Sequence, residues 1–133
     1  PGEILLAAYE GVAYSLVQSI EVLHAHSSGI DSDAPIILVG GGAKGKVWQK
    51  TISRLSGREL IIPKSAELVA YGAAAQAAGI LNNENAVDVA TRWNVSDGQR
   101  LAASAVDIEV IERNKYIREA TNDLNSRKFF NIP

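Results

Sequence analysis

Along the first 26 residues, apolar side chains recur at Ile4, Leu5, Ala8, Tyr9, Val12, Ala13, Leu16, Ile20 and Leu23. Steps of three and four predict a helix from Glu3 to about His26. Ala7, Gly11 and Ser15 form a small-residue stripe on it, where another backbone can approach closely. Ser27-Ser28-Gly29 is stop chemistry, and Ile30 to Pro35 reads as an acidic loop. At Ile36-Ile37-Leu38-Val39 the periodicity gives way to an unbroken apolar run, which predicts a parallel strand covered on both faces. A glycine-rich turn follows from Gly40 to Gly45. A helix from Lys46 to Leu55 has Val47, Trp48, Ile52 and Leu55 on its apolar side and Gly57 behind it. Leu60-Ile61-Ile62 predicts a second buried strand, stopped by Pro63.

Ser65 is placed to cap the next helix, with the negative charge of Glu67 favourable in its first turn. That helix runs to about Ala78 and ends at Gly79; apart from Leu68, Val69 and Tyr71 it is almost entirely alanine, a surface that packs only against something very close. Asn82 to Gln99 reads as a polar connection containing Trp93. A charged helix from roughly Glu112 to Ser126 closes the chain, with Tyr116, Ile117, Ala120 and Leu124 as a docking stripe.

The order of helix, strand, helix, strand, helix and tail helix is an α/β pattern on a short, partly parallel sheet. Two parallel strands do not make a stable sheet, and both would leave unpaired edge groups. Burying an apolar side chain of the first strand is worth about 1.5–3 kcal/mol, and only where neighbours cover it. The sheet therefore reads as incomplete, a piece of a larger domain whose exposed edges and alanine face favour self-association.

Composition narrows the classes. The chain has 133 residues, 47% apolar and 21% charged, which suits a globular domain. A net charge of −2 gives no electrostatic footprint for nucleic acid. With no Cys there is no disulfide, thiolate metal site or cysteine nucleophile. The apolar runs fall far short of the roughly 18 residues of a membrane helix, and a cytoplasmic protein is expected. His24 and His26 have no third ligand near them in sequence, so no metal site is assigned.

The candidate chemistry lies in Gly40-Gly41-Gly42-Ala43-Lys44-Gly45-Lys46-Val47-Trp48, on which three motifs overlap. Gly40, Gly45 and Lys46 fit a phosphate-binding P-loop, but Val47 stands where a hydroxyl should hold Mg²⁺. Gly40, Gly42 and Gly45 fit a dinucleotide fingerprint, but the next strand ends in Pro63 and Lys64 and its acid, Glu59, stands at the beginning. The third reading takes the turn together with Trp48, Gly57, Pro63 and the run from Glu67-Leu68-Val69-Ala70-Tyr71-Gly72 to Gln76-Ala77-Ala78. With Tyr9-Glu10-Gly11-Val12-Ala13-Tyr14 upstream, this set resembles the C-terminal signature of the FGGY carbohydrate kinases, and within them the xylulokinases of actinobacteria. The chain departs from that pattern at Gly45, usually Ser; at Lys50, usually Gln; and at Ser53-Arg54, commonly Ala-Asp.

The resemblance implies part of an actin-like ATPase (ribonuclease H-like) domain. Residues 1–81 would be its nucleotide-binding part, and residues 82–133 the connection and last helix of the same domain. It implies ATP or ADP with Mg²⁺ as cofactor, the metal not ligated by this chain, and a sugar bound mainly by sequence that precedes it. Gly41, Gly42, Ala43 and Lys44 would lie against the nucleotide; no catalytic or metal-binding residue is assigned. Residues without bulk let a ligand touch backbone, and a helix starting just beyond directs its positive end towards phosphate. Lys44 and Lys46 add charge there, and Gly72 lets adenine lie close. A structural association module with no ligand is the alternative, in which the glycines only turn the chain; a Rossmann-type dinucleotide fragment is a further one.

Overall fold

The computed structural model describes residues 1–27, 31, 33–65 and 67–126. Among them lie helices α1 (Gly2–His26), α2 (Lys46–Ser56), α3 (Leu68–Asn82), α4 (Ala86–Arg92) and α5 (Ile108–Ser126), and strands β1 (Ile36–Ile37), β2 (Leu60–Pro63) and β3 (Gly98–Leu101). A short 3₁₀ turn covers Gly41–Lys44. The chain folds as two compact units: one of Pro1–Ser32, Lys50–Gly57 and Ser104–Pro133, the other of Asp33–Gln49 and Arg58–Ala103. Of the expected stop after α1, Ser28 and Gly29 lie outside the described residues, as do Ile30 and Ser32 of the acidic loop.

In the first unit, Ala13, Tyr14, Ile52, Leu55 and Val110 are buried, together with Glu10, Thr51 and Ser53. The small-residue stripe on α1 does admit a neighbour: Asn114 of α5 lies 3.8 Å from where a Cβ on Gly11 would stand, and Arg118 donates to Ser15 Oγ at 2.5 Å and Gln18 Oε1 at 3.0 Å. Arg118 also stacks its guanidinium 5.2 Å from the centre of the Tyr14 ring. The apolar periodicity of α1 is another matter. Ile4, Leu5, Val12, Leu16 and Leu23 are exposed, because α5 meets α1 through polar side chains on the small-residue side. Tyr116, Ile117 and Leu124 of α5 face outward as well, so the expected docking stripe is an exposed one.

Glu10 gathers this unit. Its carboxylate, 6% exposed, accepts from Arg54 and, at 2.6 Å, from Arg113. Arg54 also reaches Asp107 Oδ2 at 2.5 Å, and Ser53 Oγ bonds Ser104 Oγ at 2.9 Å. Burial pulls the Arg54 guanidinium down, but its hydrogen bonds to Glu10 and Asp107 outweigh that and leave it above its ordinary value. Asp107 caps α5 by accepting from Val110 N at 3.1 Å. That bond, with Arg54 beside it, holds the Asp107 carboxyl below the usual range. The cap sets the helix start at Ile108, one turn earlier than the charged run suggests.

In the second unit the sheet has the order β1-β2-β3. β1 runs parallel to β2 with Ile36 opposite Leu60, and β3 runs antiparallel with Leu101 opposite Leu60 and Gly98 opposite Pro63. The third strand corrects the expectation of two. Gly98-Gln99-Arg100-Leu101 is an edge strand with a single apolar residue, Leu101, and so offers no apolar run to read. Leu60 and Ile61 are buried, whereas Ile37 and Val39 are about half exposed, so β1 is not covered on both faces. Arg58 steadies the entry to this sheet by donating from Nε to the Ala34 carbonyl at 2.8 Å.

α3 begins at Leu68, after Ser65 Oγ has taken the Glu67 amide at 3.1 Å. It runs three residues beyond the expected end at Gly79 and stops at Asn82, where Asn83 adopts φ 55°. Glu84 N bonds Gly79 O at 2.8 Å and Asn83 N bonds Ile80 O, closing the helix in a Schellman turn. Gly79 is therefore a point of close approach: a Cβ there would stand 2.8 Å from Glu84 O. The supposed polar connection holds α4, capped by Asn85 Oδ1 on Val87 N at 2.8 Å, and packed beside α3 with Val89 fully buried.

Replacing Glu10 with Ala is expected to lower stability by about 2 kcal/mol, since hydrogen bonds to charged groups are worth that much and the partners are left unpaired; urea unfolding measures it. The depressed pKa of Asp107 adds stability above the unfolded-state value of about 3.9, lost as pH falls through the lower folded value. Asp107→Asn should remove that part of the acid sensitivity in melts between pH 5 and 2.

Candidate functional site

The glycine-rich turn sits between β1 and α2, where a parallel strand hands the chain to a helix. Leu38 N still bonds Ile61 O at 2.9 Å, so the chain stays in register with β2 almost to the turn. Gly40 then takes φ 87° and ψ 179°, a backbone that side chains rarely adopt. The 3₁₀ turn closes with Ala43 N on Gly40 O and Gly45 N on Gly42 O, each 3.1 Å. The amides of Gly41 and Gly42 precede its first hydrogen bond. Both glycines are exposed, and a Cβ on either would meet nothing within 4 Å. Ala43 is buried and Lys44 exposed.

α2 begins at Lys46 directly after the turn, with Gln49 N bonding Gly45 O at 2.9 Å. Its positive end adds a partial charge favourable to an anion. Lys46 is exposed, Trp48 half-buried, and Val47, at the position that a P-loop would give to a hydroxyl, is 52% exposed. Gln49, which the sequence did not single out, is 4% exposed and donates Nε2 to the Ala43 carbonyl at 2.6 Å. Its burial and its bond are features of the fold, and no pattern in the residues around it singles it out.

Beside the turn the second unit carries a groove of about 600 Å³, within the range of small-molecule sites. Ile37 and Val39 form its floor on the β1 side, the latter adjacent in sequence to Gly40; α3 contributes Gly72 and Gln76, and α4 contributes Ala90 and Thr91. Gly72 has open space in front of it. The structure thus brings the turn and Gly72 into one unit, with Val39, next to Gly40 in sequence, lining the same groove as Gly72. Glu67 is itself the N-cap residue of α3, its amide held by Ser65, which corrects the expectation of Ser65 as the cap and Glu67 within the first turn. Glu59 stands at the other end of β2, where it accepts from Arg100 at 3.0 Å, in a place unlike that of the ribose-binding acid of a dinucleotide fold. Among the described residues no three His, Asp or Glu side chains gather as metal ligands, and no helix is long and apolar enough to cross a membrane. Chemically, an open backbone turn at a helix N-terminus suits phosphate, and an apolar groove with Gln76 and Thr91 suits a flat ring.

An α/β unit with a glycine turn between a parallel strand and a helix defines a class of nucleotide- and phosphate-handling folds, and comparison with known proteins narrows it. Residues 1–81 match the model of the C-terminal domain of the FGGY family of carbohydrate kinases. The chain belongs to that family. It is 46% identical over 112 residues to the xylulose kinase of Streptomyces rubiginosus and 49% identical over 113 residues to that of Streptomyces coelicolor. Each alignment covers 84% of this chain and 23% of the Streptomyces protein. The xylulose kinase of Escherichia coli is 37% identical over 60 residues, 45% of this chain and 12% of that protein.

Gly40→Ala should destabilise the chain by about 1 kcal/mol or more, because an L side chain is forced to a positive φ. Gly41→Ala, with open space around it, should cost far less. Thermal melts of the two variants side by side check the difference.

Proposed function

We propose that the chain is the ADP/ATP-binding portion of a sugar kinase that moves the γ-phosphate of ATP to D-xylulose, giving xylulose 5-phosphate. The observation that carries this is the pair of open glycines at the turn, Gly41 and Gly42, beside a groove walled by Gly72. In this reading the diphosphate lies over Gly41, Gly42 and Ala43, with Lys44 adding charge, and adenine lies over Gly72. Mg²⁺ arrives with the phosphates and supplies charge neutralisation when bound. The residues present fit a nucleotide, since a Cβ on any of the three glycines would enter open space. The FGGY membership supports an actin-like ATPase domain as the complete fold, with residues 1–81 as its nucleotide part.

Phosphoryl transfer also needs a base for the sugar hydroxyl. That base and most sugar contacts lie in sequence outside this chain, so the chain by itself performs no transfer. The whole kinase acts in the cytoplasm on a small sugar, with no nucleic-acid or membrane partner. The exposed apolar residues of α1, with Ile4 at 78% and Leu5 at 58%, and the free side of β1 lead the isolated chain to self-associate.

Titration calorimetry with MgADP, and NAD⁺ as competitor, tests the site. Binding of MgADP alone is expected, weakened at least about tenfold by Gly42→Val and by Gly72→Leu, which place side chains where the ligand should touch backbone. Equal or tighter binding of NAD⁺ would sink the reading, and silence from both ligands would move the pocket outside this chain. Light scattering should show dimers or larger species, and a stable monomer across micromolar concentrations would contradict the association.

A further inference from the structure

The turn poses a mechanical problem that its own residues cannot solve. Gly40, Gly41 and Gly42 bring no side chains, and glycine has the widest choice of backbone conformation. A side chain just inside α2 hydrogen-bonds the backbone of the turn. Gln49 donates Nε2 to the Ala43 carbonyl at 2.6 Å from a position 4% exposed. A hydrogen bond formed away from water is worth more than one at the surface, and a buried carbonyl without a partner is costly. Gln49 also receives its place from the turn itself, since its amide bonds Gly45 O. Backbone and side chain of one residue therefore clasp the turn at two points.

The peptide plane explains what this clasp does. The carbonyl of Ala43 and the amide of Lys44 belong to one rigid unit and point in opposite directions. Fixing the carbonyl fixes that plane, which lies between the two peptide units whose amides, Ala43 N and Gly45 N, make the 3₁₀ bonds that leave Gly41 and Gly42 at the open end. We infer that Gln49 is a positioning residue, whose buried side-chain amide holds the glycine turn in its ligand-ready shape before any nucleotide arrives. The inference rests on the nucleotide reading for its ligand, while the geometry it concerns is independent of that ligand. Preorganisation of this kind lowers the ordering cost of binding.

The test uses the 133-residue chain and two variants, Gln49→Leu and Gln49→Glu, with MgADP as the probe. Amide hydrogen exchange reads the turn, and calorimetry reads affinity. Gln49→Leu removes the donor at nearly constant bulk. It should speed exchange across residues 41–45 while leaving β2 and α3 at wild-type rates, and weaken MgADP about tenfold. Gln49→Glu should behave like the leucine variant at pH 8, where a carboxylate faces a carbonyl. It should recover near-native exchange and affinity towards pH 5, because burial raises its pKa and the neutral acid can donate. A purely space-filling role would give no such pH profile.

Unchanged exchange and affinity in Gln49→Leu would overturn the assignment. So would faster exchange at all sites alike, which reports global destabilisation. Should the leucine variant lose its helical signal altogether, the pH profile of the glutamate variant decides, and a flat profile overturns the role. If the wild-type chain fails to bind MgADP, the nucleotide reading falls, and the exchange data still decide whether Gln49 sets the turn.

Discussion

A buried carboxylate governs the first unit, because Glu10 is its charge most completely withdrawn from water. A carboxylate in that position is tolerable only with cations in contact, and Arg54 and Arg113 provide them from segments 44 and 103 residues away in sequence. The apolar core around it is small: Ala13, Tyr14, Ile52, Leu55 and Val110. Much of what holds α5 to α1 is therefore directional and polar, running through Arg113 and Arg118. A helix held by hydrogen bonds on one side is free to present Tyr116, Ile117 and Leu124 on the other.

Two of the residues at which the chain departs from the usual FGGY pattern take on meaning within this unit. Ser53 and Arg54 are both engaged with the segment that leads into α5, the serine through Ser104 and the arginine through Asp107. A carboxylate at position 54 would face Glu10 and Asp107 as a like charge, so the arginine is matched to its acidic neighbours. The identity of position 54 and the way α5 is anchored belong to one electrostatic solution.

In the second unit the recurring theme is exposed backbone. β1 is short and half-covered, the turn after it is bare, and α3 offers glycine and alanine to a groove. Each would be a defect in a protein that only had to be stable. Together they leave backbone open at the turn and at Gly72, with Gln49 bonded to the turn and α4 packed beside α3, where Gly79 allows close contact.

Much of this was legible from the residues alone. The periodicity of α1 and α2, the β-branched run at Ile36 and the glycine turn located the elements and the candidate site, and spaced motifs located the family. β3 was hidden because Gln99 and Arg100 lack an apolar face, and α4 because its seven residues span less than two full apolar repeats. The extension of α3 past Gly79 needed Asn83 in a left-handed conformation, which Asn tolerates but its presence does not announce. Local sequence fixes propensity and pattern, since those depend on neighbours three or four residues apart. Which apolar faces are covered, which charges meet across a hundred residues, and which side chain braces the turn are decided only when distant segments pack, because burial and pairing are properties of the assembled fold.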